Sequence, residues 1–162
     1  MMGVSLSELA GEDIQRFLAT EAVLLDERRF TEWLDLWAPD ACYWIPVDPD
    51  LAGGDDAVNH VYDDHARLRT RVARLLGPAA HTEEPPPRST RVHGPPVLKA
   101  TGELAHVVTP FVLTAHRQGA TALVSGRYHH HLRTTDDGLR IVTKRVDLID
   151  ADAPLNTLPT LL

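Results

Sequence analysis

The chain has 162 residues, and 16 Lys+Arg against 23 Asp+Glu give a formal charge of −7 at pH 7. At roughly 150 residues per domain this length predicts one domain spanning 1–162, and 43% hydrophobic beside 24% charged residues marks a globular chain rather than a disordered one. The acidic balance argues against nucleic acid as a partner, because phosphate neutralisation needs surplus Lys and Arg, and the single cysteine, Cys42, excludes a disulfide framework or a Cys-built zinc or iron–sulfur centre.

The opening MMGVSLSELAGEDIQ has neither the basic nor the apolar region of a secretory signal, and no apolar run approaches the ~18 residues of a membrane span. A cytoplasmic protein is expected. Ser5 and Glu8 are spaced as a capping box. From Glu12 the apolar residues Ile14, Phe17, Leu18, Ala22 and Leu25 recur at helical spacing, and Phe30, Trp33, Leu34 and Trp37 form a second such set. Asp26 to Arg29 reads as a joint between two helices, and Pro39 ends the helical region. Ala41 to Val47 (ACYWIPV) is a short aromatic strand, and the acidic segment Asp48 to Asp56 is an exposed loop. Residues 61 to 76 return to a helical period through Val61, His65, Leu68, Val72 and Leu75, and Gly77-Pro78 stops that helix. His81 to Arg88 is an extended proline-rich crossing.

The remainder alternates as strands do. Leu104 to Ala115 puts Ala105, Val107, Phe111, Leu113 and Ala115 on one side, with Pro110 implying a bulge or a missing donor. After a turn at Gly119, Ala120 to Arg133 puts Ala122, Val124, Tyr128, His130 and Leu132 on one face. Asp137-Gly138 is a hairpin signal, and Leu139 to Ile149 is the next strand. Strands joined by tight turns are antiparallel. Helices first and a meander last predict an α+β fold, with helices packed on one face of a curved antiparallel sheet.

The run His129-His130-His131 is the most conspicuous chemical feature. On a strand His129 and His131 share a face, but Arg127 and Arg133 share it too, and cations repel a divalent metal. No Asp or Glu lies in that strand to complete a ligand set, so no metal site is expected. Trp33, Trp37, Tyr43 and Trp44 read as core and rim aromatics, and Cys42 as a small buried hydrophobe. Arg67, Arg69, Arg71 and Arg74 have Asp63, Asp64 and Glu83 nearby, which predicts local pairing on a solvated helix. No Ser elbow or Gly-rich phosphate loop is present. A cone-shaped α+β domain can nevertheless hold an apolar pocket with a general base. The residues nominated for one are Asp40, Tyr43, His65 and His130, which would make the chain a stand-alone isomerase, dehydratase or cyclase.

Several stretches together resemble one family. EAVLLDERRFTEWLDLWAPDACYWIPV (21–47) is similar to the opening helices and first strand of the small, or beta, subunit of aromatic-ring-hydroxylating dioxygenases. VYDDHARLRTRVARL (61–75) and EEPPPRSTRV (83–92) resemble its acidic pair with Arg-rich helix and its proline-then-Arg crossing. VSGRYHHHLRTTDDGLRIVTKRVDLIDADAPLNTLPTLL (124–162) resembles its last hairpin and Leu-rich tail. Gly94-Pro95-Pro96 departs from the regular strand usual in the family there.

The resemblance implies a cystatin-like, nuclear-transport-factor-2-like cone and a structural, non-catalytic subunit of the terminal oxygenase. The Rieske iron–sulfur cluster and mononuclear iron would then belong to a partner large (alpha) subunit that cis-dihydroxylates an aromatic compound, commonly in an α3β3 assembly with other beta subunits. No catalytic, cofactor or metal residue is expected in this chain. The candidate subunit contacts are Arg127, His129, His131 and Arg133 on one strand face, with Leu158, Leu161 and Leu162 of a tail expected to dock on the sheet or on a partner.

Overall fold

The computed structural model describes residues 11–51, 58–77, 85–151 and 160–162. The Ser5/Glu8 capping box and Leu158 lie outside the described residues, as does part of the loop expected at 48–56. The expected first helix is α1 (Gly11–Asp26). Its buried residues Ile14, Leu18, Glu21, Leu24 and Leu25 form one stripe, the period that lets a helix bury a single face. The joint is a left-handed step at Arg28, φ 57°, and α2 (Phe30–Leu34) follows with Phe30 and Trp33 buried.

Strand β1 (Trp37–Pro46) begins four residues before the expected position. Trp37 is therefore its first residue and not the last of a helix, and Pro39 falls within the strand rather than ending a helix. The apolar offsets fit both periods over so short a stretch. Trp33, Trp37 and Tyr43 meet edge to face with ring centroids 5.3–6.0 Å apart. Cys42 points to the other face of β1 and is half-buried rather than fully buried.

The helix expected over 61–76 is two elements, β2 (Asn59–Asp64) and α3 (His65–Leu76). Asp64 caps α3 by accepting from the Arg67 N–H at 2.8 Å, which ends the strand and starts the helix. The crossing expected at 81–88 lies partly outside the described residues; β3 (Arg88–His93) starts at its last residue, and β4 (Val97–Ala100) follows Gly94-Pro95-Pro96. The last three strands, β5 (Ala105–Arg117), β6 (Ala120–Thr135) and β7 (Gly138–Leu148), are the expected meander. The β5–β6 turn puts Gln118 and Gly119 at φ 51° and 79°, the two positive values of a type I′ hairpin.

Among the described residues the strands form one sheet in the order β2-β1-β7-β6-β5-β3, with β4 on the end of β5. Neighbours are antiparallel except β1 and β7, which run parallel. The curved sheet is thus mixed, not wholly antiparallel. No hairpin joins β1 to β7, so tight-turn geometry does not constrain that pair. Pro110 produces no bulge against β6, where it pairs with Arg127 in unbroken register. Its missing N–H faces the break between β3 and β4, where its carbonyl accepts from Gly94 N–H at 2.8 Å.

The helices cover one face of the sheet, and the buried side chains of α1, α2, α3 and all the long strands form one cluster. One glycine in that sheet has no substitute. A Cβ on Gly126 would lie 2.0 Å from the Asp147 carbonyl oxygen and 3.0 Å from Leu148 Cα. Gly126→Ala is expected to part β6 from β7 at a cost of about 2–3 kcal/mol, read as a fall in Tm of roughly 5–10 °C. An unchanged Tm would show that β7 moves aside freely.

Candidate functional site

The interior of the cone holds an ionic cluster. Glu21, 1% exposed, sits mid-stripe on α1 and accepts three hydrogen bonds. They come from Trp33 Nε1 at 3.0 Å, His130 Nε2 at 2.8 Å and Lys144 Nζ at 3.1 Å. His130 and Lys144 are both 0% exposed, on β6 and β7. The Lys144 ammonium also lies 4.4 Å from the Tyr128 ring centroid, and Tyr128 stacks on Phe111 at 3.9 Å.

Burial alone would raise the Glu21 carboxyl, but Lys144 and His130 outweigh it and hold Glu21 far below the usual carboxylate range. Burial pushes Lys144 down to about 8 against the pull of Glu21. Burial also pushes His130 down, so the ring is neutral, donates Nε2–H to Glu21, and leaves Nδ1 buried without a partner. One carboxylate neutralises one ammonium here, and a neutral imidazole and an indole complete its shell. A second buried pair fastens α1 to β3: Arg91 Nε donates to Asp26 at 2.9 Å and Arg91 Nη1 to the Leu161 carbonyl at 3.2 Å.

The opposite face of β6 carries a different array. Asp147 can only accept, so His129 donates Nε2–H to it at 3.2 Å. His129 Nδ1 and His106 Nε2 share a hydrogen bond at 3.0 Å. His106 and His131 stack with centroids 4.5 Å apart and planes at 9°. Arg145 binds Asp147 at 2.6 Å and lies 5.0 Å over the Trp44 ring. The His106 and His129 nitrogens bond to each other and to Asp147, and His131 Nδ1 has no hydrogen-bond partner among the described residues. Among the described residues no group of three or more His, Cys, Asp or Glu is arranged to hold a metal ion.

The four residues nominated for a catalytic pocket do not come together. Asp40 is exposed and forks onto Arg133 at 2.8 Å through both oxygens, which holds its carboxyl down at about 2. Tyr43 is buried, its hydroxyl donating to the Leu162 carbonyl at 3.3 Å and accepting from Leu162 N–H at 3.0 Å. Burial pushes that phenol well above its ordinary value. His65 opens α3, and His130 is the ligand of Glu21.

Of the proposed contact residues, Arg127 is exposed, whereas His129, His131 and Arg133 are part-buried on the outer face. Leu161 and Leu162 are 6% and 0% exposed and belong to this chain's own core. On α3, Arg71 pairs with Asp63 at 2.6 Å, as local pairing predicts. The sequence reading missed Glu21, Lys144, His106, Arg91 and Asp147. Two of them carried a signal: Glu21 occupies the apolar stripe with Ile14, Leu18 and Leu25, and Lys144 is in phase with Val146 and Leu148.

A curved sheet with helices packed on one face defines an α+β fold of the cone class. The Ring hydroxylating beta subunit family model matches residues 20–153, and the chain belongs to that family. It is 36% identical over 136 residues to the small oxygenase component of the p-cumate 2,3-dioxygenase system of Pseudomonas putida, covering 82% of this chain and 76% of that one. The beta subunit of benzoate 1,2-dioxygenase from Burkholderia mallei superposes with a TM-score of 0.76 at 23% identity, covering 99% of this chain and all of that one. A nuclear-transport-factor-2-like protein with a cystatin-like fold from Novosphingobium aromaticivorans gives 0.59 at 19% identity over 93% and 94% of the two chains. The cystatin-like α+β fold and the small-subunit role in a dioxygenase, an oxidoreductase system, follow. The stand-alone isomerase, dehydratase or cyclase is the weaker reading. No helix among the described residues is long and apolar enough to cross a membrane.

Proposed function

We propose that residues 1–162 act as one structural domain, supporting a large oxygenase subunit that carries a Rieske cluster and a mononuclear iron and cis-dihydroxylates an aromatic compound in the cytoplasm. The assembly proposed is α3β3. The observation that carries this reading is the interior, where the Glu21 carboxylate is engaged by Trp33, His130 and Lys144 of this same chain. A subunit of this kind acts through its surface. The outer face of β6 offers ordered polar groups suited to a partner: Arg127, the part-buried His129 and His131, and Arg133. Leu161 and Leu162 are assigned to a tail that braces this chain against its own sheet.

The test is co-expression with a large subunit bearing the Rieske Cys-His motif, followed by native mass spectrometry and iron analysis. The expected result is a 3:3 complex whose iron and aromatic turnover are lost when the large subunit is omitted. Arg127→Glu is expected to weaken assembly at least tenfold. A chain that stays monomeric beside the large subunit, or that turns over a small molecule alone, overturns the proposal.

A further inference from the structure

A pocket of about 330 Å³ opens where α1 meets the Gly94-Pro95-Pro96 turn, a motif that the supporting role leaves unexplained. Gln15, Leu18 and Ala19 of α1 form one wall, Pro95 and Pro96 the other, and His93 and Thr109 complete the lining. That volume lies at the lower end of the range for small-molecule sites. The turn is fixed in place: Gly94 N–H donates to the Pro110 carbonyl at 2.8 Å, and a Cβ on Gly94 would lie 2.6 Å from Pro110 Cγ. Only glycine lets the turn seat so closely on β5.

Two polar atoms in this pocket have no partner. Thr109, 0% exposed, has an unbonded buried Oγ1, and the buried His93 Nε2 is likewise unbonded. Leaving such groups unpaired is costly, and a ligand supplying the missing bonds would remove that cost. The site has a definite charge preference. Burial, reinforced by the Lys144 ammonium, holds His93 down at about 4, so the imidazole is neutral at pH 7. Behind it His93 meets Tyr128 edge to face at 5.5 Å, where Glu21 already balances Lys144. Neither an anion nor a cation would find an uncompensated partner. A single hydroxyl can donate to one of the two atoms and accept from the other, while flat proline and aliphatic walls suit an apolar body.

We propose that this pocket is a binding site for a small uncharged molecule carrying one hydroxyl on a flat apolar body, held by Thr109 Oγ1 and His93 Nε2. The site is separate from the surface assigned to the large subunit, so its failure would leave the supporting role intact.

The test titrates the full-length chain with phenol at pH 7 by NMR, following the His93 ring protons and the Thr109 amide. Toluene, which keeps the ring and lacks the hydroxyl, is titrated in parallel. Saturable shifts at both residues are expected with phenol, and at least tenfold weaker binding with toluene. Thr109→Val and His93→Phe are each expected to weaken phenol at least fivefold while leaving toluene unchanged. Equal binding of the two probes to the unaltered chain overturns the assignment even if neither variant folds. So does the absence of saturable shifts at these residues.

Discussion

Glu21→Gln is expected to remove about 3–5 kcal/mol of folding stability, because it strands a buried ammonium without its counter-charge. In a chain of this size that is a fall in Tm of roughly 8–15 °C. The cause is local: among the described residues Glu21 is the carboxylate bonded to Lys144, and both are at most 1% exposed. Lys144→Met alone leaves Glu21 with its Trp33 and His130 donors but no cation, and is expected to cost less. The double variant Glu21→Gln/Lys144→Met is expected to recover much of the loss, since replacing both members of a buried ion pair is often neutral. Urea denaturation of the four chains measures the coupling. Additive single losses would mean that the two residues do not act as a pair, and the account of the interior would fail.

Acid is expected to destabilise the chain over a defined interval, from about pH 6.5 down to pH 4. The histidines His93, His106, His130 and His131 are all pushed down, chiefly by burial, with His93 at about 4. A group whose folded pKa lies below its unfolded value takes up a proton more readily in the unfolded chain, so stability falls as pH falls between the two values. For His93 that interval is 6.5 to about 4. Glu21 and Asp147 are also held low, and their contributions are lost below the unfolded carboxylate range of about 4. Tm is expected to drop by more than about 10 °C between pH 7 and pH 4.5, and His93→Phe is expected to flatten the upper part of that slope. A Tm independent of pH over this range would contradict the burial of these rings.

The sequence disclosed what periodicity can carry. The α1 stripe, the turns at Gly119 and Asp137-Gly138, and the placing of His130 inward with His129 and His131 outward are all single-element patterns, and the structure has them. Elements too short for one period to win were misread. Val61 fits a helix as well as a strand, so β2 merged into α3, and Trp37 was likewise assigned to the helical region. Prolines hid β3 and β4, because Pro86, Pro87, Pro95 and Pro96 flank them and argue against a sheet. The interior cluster was hardest to see, since Glu21, His130 and Lys144 are joined only by tertiary packing. Each breaks an apolar face by itself, and only in combination does the Glu21 carboxylate find its donors.

The parallel seam between β1 and β7 has a consequence for how the chain is made. Trp37 pairs with Ile141 across roughly a hundred residues, so closing this seam carries the loop-closure entropy that slows non-local sheets. On the ribosome β1 has β2 beside it early, yet its other edge stays bare until the final strand emerges. That edge is open to other chains during synthesis, and the moment at which β7 zips onto it sets when a finished subunit can first be recruited into an oxygenase.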